Sequence, residues 1–255
     1  MLLTLMYHQV TSNIPAFTKH LELLAKNYPI KIPRESLKNN LNKKNYKFKL
    51  NLCLTFDDAW ADFYFIIFPL LKKLNIKVVL AVPAGLIQEE QDLINLKLSP
   101  ETRINLKNMT DPGALCTWSE LQEMADSGLV QIASHGMTHK SLKDKDTNLD
   151  FEIRESKKLL EQKLKIKNID TFVYPFGHYT PEAQKKIGEL YSVSMRVGQG
   201  VNFSWGSPKI MHYRVRADLY WRPGKKGQAP VIYPKVSFKY FSKRVLRLVR
   251  EFVGF

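Results

Sequence analysis

Cysteine is nearly absent. Cys53 and Cys116 are the only two in 255 residues; they lie far apart in no metal-like spacing, and a secreted disulfide framework uses more of them. Both are expected to be reduced, buried thiols. Long hydrophobic runs are missing too: no window approaches the roughly 20 uninterrupted apolar residues of a membrane-spanning helix. The opening stretch MLLTLMYHQV has no basic leader, and Tyr7 and His8 interrupt its apolar run too early for an export signal. It reads as a first strand, so a soluble cytoplasmic protein, or one held peripherally on the inner membrane face, is expected. There is no internal repeat and no low-complexity tract, which leaves an ordinary packed domain as the default.

Positive charge, by contrast, is plentiful. The formal net charge is +15, large enough to favour polyanions such as nucleic acid or anionic lipid headgroups. One share lies in KNYPIKIPRESLKNNLNKKNYKFK and another in the tail SFKYFSKRVLRLVREFVGF. In the tail Phe238, Phe241, Val245, Leu248, Val249 and Phe252 recur at helical spacing, with Lys239, Lys243, Arg247 and Arg250 on the other face. Residues 231–255 are therefore expected to form a basic amphipathic helix, either an anchor on an anionic membrane surface or a helix docked on its own domain. No nucleic-acid partner is expected.

Residues 1–230 are expected to form one domain. Strand-like runs (LLTLMYHQV, LNLCLTF, KVVLAVPA, LVQIASH, DTFVYPFG, YSVSMRV) alternate with helical segments (FYFIIFPLLKKLN, WSELQEMADSG, FEIRESKKLLEQKLK, TPEAQKKIGEL). That order predicts an α/β fold, a mostly parallel sheet or barrel with its site at the C-terminal strand ends. Thr117 and Glu120 fit a capping box, and Gly128 fits a helix stop. Residues 86–115 show no clean period and read as a long loop or insertion near the site.

The chemistry begins at TFDDAW. Asp57 and Asp58 are adjacent carboxylates that repel unless a cation lies between them. In SHGMTH, His135 and His139 are four apart, a spacing that on one helical turn brings both imidazoles to a single ion. An Asp with two His leaves a coordination position open for water, the mark of a catalytic metal. Zinc is the first expectation, with cobalt, nickel or iron accepting the same ligands.

TFDDAW, SHGMTH and YPFG, in that order and each at a strand end, resemble the polysaccharide deacetylases of carbohydrate esterase family 4. The likeness runs over roughly residues 50–177. It implies a distorted (β/α) barrel and a metal-dependent hydrolase that removes acetyl groups from N-acetylated amino sugars. Asp57 would then be the general base; Asp58, His135 and His139 would hold the metal, and the backbone N–H of Phe176 would meet the oxyanion. Three positions depart from the family pattern. Ala59 replaces the usual Gly, and Val173 replaces an Arg that steadies the base, with Arg214 as the expected substitute. The general acid, usually a His late in the domain, is expected at His8, because LMYHQV resembles a rearranged branch that carries MYH on its first strand. His212 is the rival.

The expected partner is an N-acetylated glycan or glycolipid. The alternatives are a non-catalytic barrel whose basic surface binds membrane or nucleic acid, and an amidase of the same fold acting on a non-sugar amide. His178 is expected as an exposed loop residue or a substrate contact, and His20 as solvated surface. Trp60 and Tyr174 are expected to pack in the core or to face a sugar ring.

Overall fold

Six apolar runs and the more polar HYRVR become seven parallel strands: β1 (Leu2–Tyr7), β2 (Asn51–Phe56), β3 (Val78–Val82), β4 (Val130–Ser134), β5 (Thr171–Val173), β6 (Val193–Val197) and β7 (His212–Arg216). In this computed structural model, which describes residues 2–11, 13–38, 50–198, 200–202 and 211–218, they close in sequence order into a barrel. Closure comes from β1 pairing with β7, Thr4 opposite Arg214. The expected tail helix over 231–255 lies outside the described residues. No helix among the described residues is long and apolar enough to cross a membrane.

The helices cover the outside. They are α1 (Ile14–Asn27), α2 (Pro33–Lys38), α3 (Phe68–Leu74), α4 (Glu90–Ile94), α5 (Pro100–Asn105), α6 (Trp118–Asp126), α7 (Ser156–Lys163) and α8 (Pro181–Leu190). Wide π-helical turns at Phe63–Ile67 and Asp150–Glu155 lead into α3 and α7. Pro69, which has no amide hydrogen to give the ladder, sits in the first turn of α3. The capping box of α6 forms as its residues predict, Thr117 and Glu120 each satisfying the other's backbone N–H.

Two of the sequence expectations are overturned. Residues 86–115 are not one structureless loop: they hold α4, with its own Glu89/Asp92 capping box, and α5, capped by Ser99. Each is too short to show a period. His20 is buried, not solvated: its Nε2 shares a 2.6 Å hydrogen bond with the Tyr7 hydroxyl, and burial pushes its pKa down to about 4.

Strand parity decides what faces the barrel axis. Leu2, Cys53, Val79, Ala81, Ala133, Val173, Val193 and Met195 form a small inner core, while Leu3, Leu5, Leu52, Leu54 and Phe56 belong to the larger layer under the helices. Side chains alternate along a strand, so the inner rows continue upward by twos. Leu2 leads to Thr4, Met6 and His8; Cys53 to Thr55 and Asp57; Ala133 to His135. His8, Asp57 and His135 are the next inward positions above the core.

Candidate active site

Asp57 ends the inward row of β2, and its backbone N–H donates to Tyr7 O at 2.9 Å. Its carboxylate is gripped by Arg214 from the middle of β7, with Nη1 to Oδ1 at 2.6 Å and Nη2 to Oδ2 at 2.9 Å. Nη1 also donates to Thr55 Oγ1. Val173, where the family pattern has an Arg, is fully buried in the inner core. The cation that meets Asp57 thus comes from the last strand of the barrel. Burial pushes the Asp57 carboxyl up, but the Arg214 guanidinium and the imidazoles beside it outweigh this and hold it below the usual carboxylate range.

Asp58 turns the other way. It and Ala59 both take left-handed backbone, φ 75° and 56°, a conformation costly for residues other than glycine. The turn is clamped by the end of the 86–115 segment: Cys116 N–H donates to Ala59 O at 2.8 Å and Ala61 N–H to Ala114 O at 2.8 Å. Trp60 donates its indole N–H to Asp58 Oδ2 at 3.1 Å. Trp60 thus packs in the core, one of the two expectations for it, and its polar end reaches the cluster as well.

Asp58 Oδ1 lies 3.5 Å from His135 Nε2 and 3.2 Å from His139 Nε2. The two imidazoles are not on one helical turn, as the spacing suggests, because β4 stops at Ser134 and a loop follows. Gly136 (φ 81°) and His139 (φ 59°) bend that loop back on itself. Glu152 holds it, accepting Met137 N–H at 2.8 Å, Thr138 N–H at 2.9 Å and the Thr138 hydroxyl. A side chain at Gly136 would put its Cβ 2.8 Å from Glu152 Oε2. Sequence reasoning missed Glu152; it lies in a helical segment with nothing local to mark it.

The donor atoms of Asp58, His135 and His139 all lie within 4.8 Å of one another. This set fits a divalent metal. Oδ1 of Asp58 is buried and accepts no hydrogen bond among the described residues. His135 donates its Nδ1–H to Val173 O at 2.8 Å, which aims Nε2 into the cluster. Burial pushes the Asp58 carboxyl up, but the paired imidazoles outweigh it and hold the group well below its ordinary value.

His8 stands beside Asp57, its Nε2 3.9 Å from Asp57 Oδ2. Asp218 fixes it twice: Oδ2 accepts the imidazole Nδ1–H at 2.9 Å and Oδ1 accepts the His8 backbone N–H at 3.1 Å. Burial alone would lower the His8 pKa, but Asp218 and Asp57 raise it above its ordinary value. His212 opens β7, two residues nearer the other end of the barrel than Arg214. That spacing is about 6–7 Å along a strand, so His212 sits below the level of the base.

YPFG turns over the cluster. Phe176 takes φ 56°, its ring is 4.7 Å from that of His139, and the residue is 60% exposed. Tyr174 is fully buried, and the exposed His178 bonds Ser141 Oγ at 3.0 Å. A cavity of about 530 Å³ lined in part by Arg34, Gln131, Lys167 and Asp170 lies at the other end of the barrel and takes no part in this site.

Fold and site together define a parallel-barrel protein with a buried carboxylate beside a His-His-Asp cluster. The polysaccharide deacetylase family model matches residues 44–191, and the chain belongs to that family. Among solved structures it is similar to IcaB from Ammonifex degensii (20% identity, TM-score 0.67, covering 92% of this chain and 97% of that one). It is likewise similar to the Streptococcus pyogenes deacetylase PplD in complex with acetate (22%, TM-score 0.65, 94% and 97%). A polysaccharide deacetylase from Bacillus cereus is 22% identical with TM-score 0.65 over 84% of this chain, which spans 64% of the length of that protein. At these identities the likeness is one of fold. No curated protein sequence matches.

Proposed function

We propose that the chain is a metal-dependent hydrolase that removes N-acetyl groups from an amino sugar in a polysaccharide or a lipid-linked glycan. The observation that carries this is the separation of two neighbouring carboxylates into different environments: Asp58 is committed to two imidazoles and Asp57 to a guanidinium. A divalent ion held by Asp58, His135 and His139 supplies Lewis acidity, making water a stronger nucleophile and polarising an amide carbonyl.

The protein groups divide the remaining work. Asp57, kept ionised and oriented by Arg214, accepts the proton of the attacking water. The Phe176 backbone N–H faces the oxyanion that forms as water adds to the carbonyl. His8, charged and oriented by Asp218, gives a proton from Nε2 to the leaving nitrogen as the C–N bond breaks. This assigns the acid to the first strand, as in the rearranged branch that LMYHQV resembles. Acetate, the molecule in complex with the Streptococcus pyogenes deacetylase, is the small product that this reaction releases.

The test is acetate release from an N-acetylglucosamine oligomer with and without a chelator, alongside metal content. Release should be chelator-sensitive and fall about 10²–10⁴-fold in both Asp57→Asn and His8→Asn. Bound metal without release would move the substrate to a non-sugar amide. A protein without metal in its native form would support the non-catalytic barrel.

A further inference from the structure

The residue after the aspartate pair and Ala59 has no part in the proposed chemistry, yet it is buried against the cluster and touches Asp58. Trp60 is 9% exposed. Its backbone forms an antiparallel bridge with Leu115, and its carbonyl accepts from the Cys116 thiol at 3.3 Å. These contacts hold the Trp60 backbone, from which its one donor, the indole N–H, reaches Asp58 Oδ2 at 3.1 Å. A carboxylate has two equivalent oxygens and can offer either or both to a cation. Here Oδ2 accepts the indole N–H, which orients the carboxylate, while Oδ1 faces both imidazoles without a hydrogen bond among the described residues.

We infer that Trp60 is a positioning residue for the metal site: its indole N–H commits Asp58 to offering Oδ1 alone and so keeps the ligand count low. This rests on the metal-dependent reading above. The energetic logic is that of outer-shell partners generally, which orient a ligand before the ion arrives and whose loss costs about 10–100-fold in metal affinity. Tryptophan suits the task because it donates and cannot accept, so it cannot compete with the carboxylate for the ion. The clamp from residues 114–116 supplies the rigidity: with φ 75° at Asp58 and 56° at Ala59, the turn would relax without it.

The experiment uses Co²⁺ as the probe on the full chain, native and Trp60→Phe. The native protein should show the intense visible d–d absorption of a site with few ligands. Trp60→Phe should bind Co²⁺ about 10–100-fold more weakly, with a weaker band as the freed Oδ2 joins the ligand set; losing a buried hydrogen bond lowers its melting temperature in chelator, so binding is compared at a temperature where both proteins are folded. An unchanged band and affinity in Trp60→Phe would overturn the inference and leave the metal reading standing. Absence of Co²⁺ binding by the native protein would overturn the metal reading and the inference with it. If Trp60→Phe does not fold, the native chain labelled with ¹⁵N-tryptophan decides. One of the four indole N–H signals should resist exchange with deuterium in the Zn²⁺ form and be the one that vanishes when Co²⁺ replaces Zn²⁺. A site-adjacent indole that exchanges freely would overturn the inference.

Discussion

At the scale of single residues, the site is governed by which buried charges have partners. Arg214 is 1% exposed and Asp57 4%, so each carries a desolvation penalty that the other offsets. Removing one member leaves a lone buried charge. Arg214→Met is therefore expected to destabilise the fold by about 3–5 kcal/mol. Arg214→Met combined with Asp57→Asn should recover a large part of that, since neutralising both removes the orphan; denaturant unfolding of the four proteins in the cycle measures the coupling. Coupling near zero would mean that the two side chains act independently. The adjacency of Asp57 and Asp58 poses the problem of a shared cation in sequence. The tertiary structure answers it by parting them, with a guanidinium for one and a pair of imidazoles for the other.

At the scale of elements, the loops above the strands are held by acceptors from other segments. Glu152, 2% exposed, supports the His135–His139 loop from the turn that precedes α7. Glu152→Ala strands the buried Met137 amide and the half-buried Thr138 amide; the expected cost is about 1–3 kcal/mol, with about 10–100-fold weaker Zn²⁺ binding by competition with a chelating dye. Asp62 does the same for the loop after β1, accepting Val10 N–H. Burial pushes its carboxyl up to about 6, against the backbone N–H groups that lower it. The folded protein therefore holds a proton there that the unfolded chain has lost, and stability falls as pH rises from about 4 to about 6. Asp62→Asn keeps an acceptor for Val10 and should flatten that slope, gaining up to about 3 kcal/mol above pH 6. Equal pH slopes for the two proteins in thermal melts would rule this out.

At the scale of the whole molecule, the barrel brings seven strand ends to one rim, so a metal bound there ties β2 to the loop after β4. Binding to the folded state alone adds about 2.7 kcal/mol at 100 times the dissociation constant. For a chain of this size that is about 5–10 °C in melting temperature. Zn²⁺ should produce this shift in the native protein and none in Asp58→Ala, read by calorimetry; a shift that survives the substitution would place the ion elsewhere. Much of this architecture is legible in the chain itself. Apolar alternation marks six of the seven strands, the Thr117/Glu120 box marks the start of α6, and the motif order TFDD, HxxxH, YPFG marks three strand ends, because these signals are local and repeat with the period of their own element. What only the tertiary structure decided is partnership over distance. The family resemblance points to Arg214 for Asp57, and the fold supplies the two-pronged contact across 157 residues. No sequence signal points to Asp218 as the partner of His8 across 210, or to Glu152 and Trp60, which share no pattern with the His135–His139 loop and the Asp58 carboxylate that they touch. The Arg214 and Asp218 contacts exist because β7 closes against β1 and brings residues 212–218 beside residues 2–8, a long-range event that no short window of residues encodes.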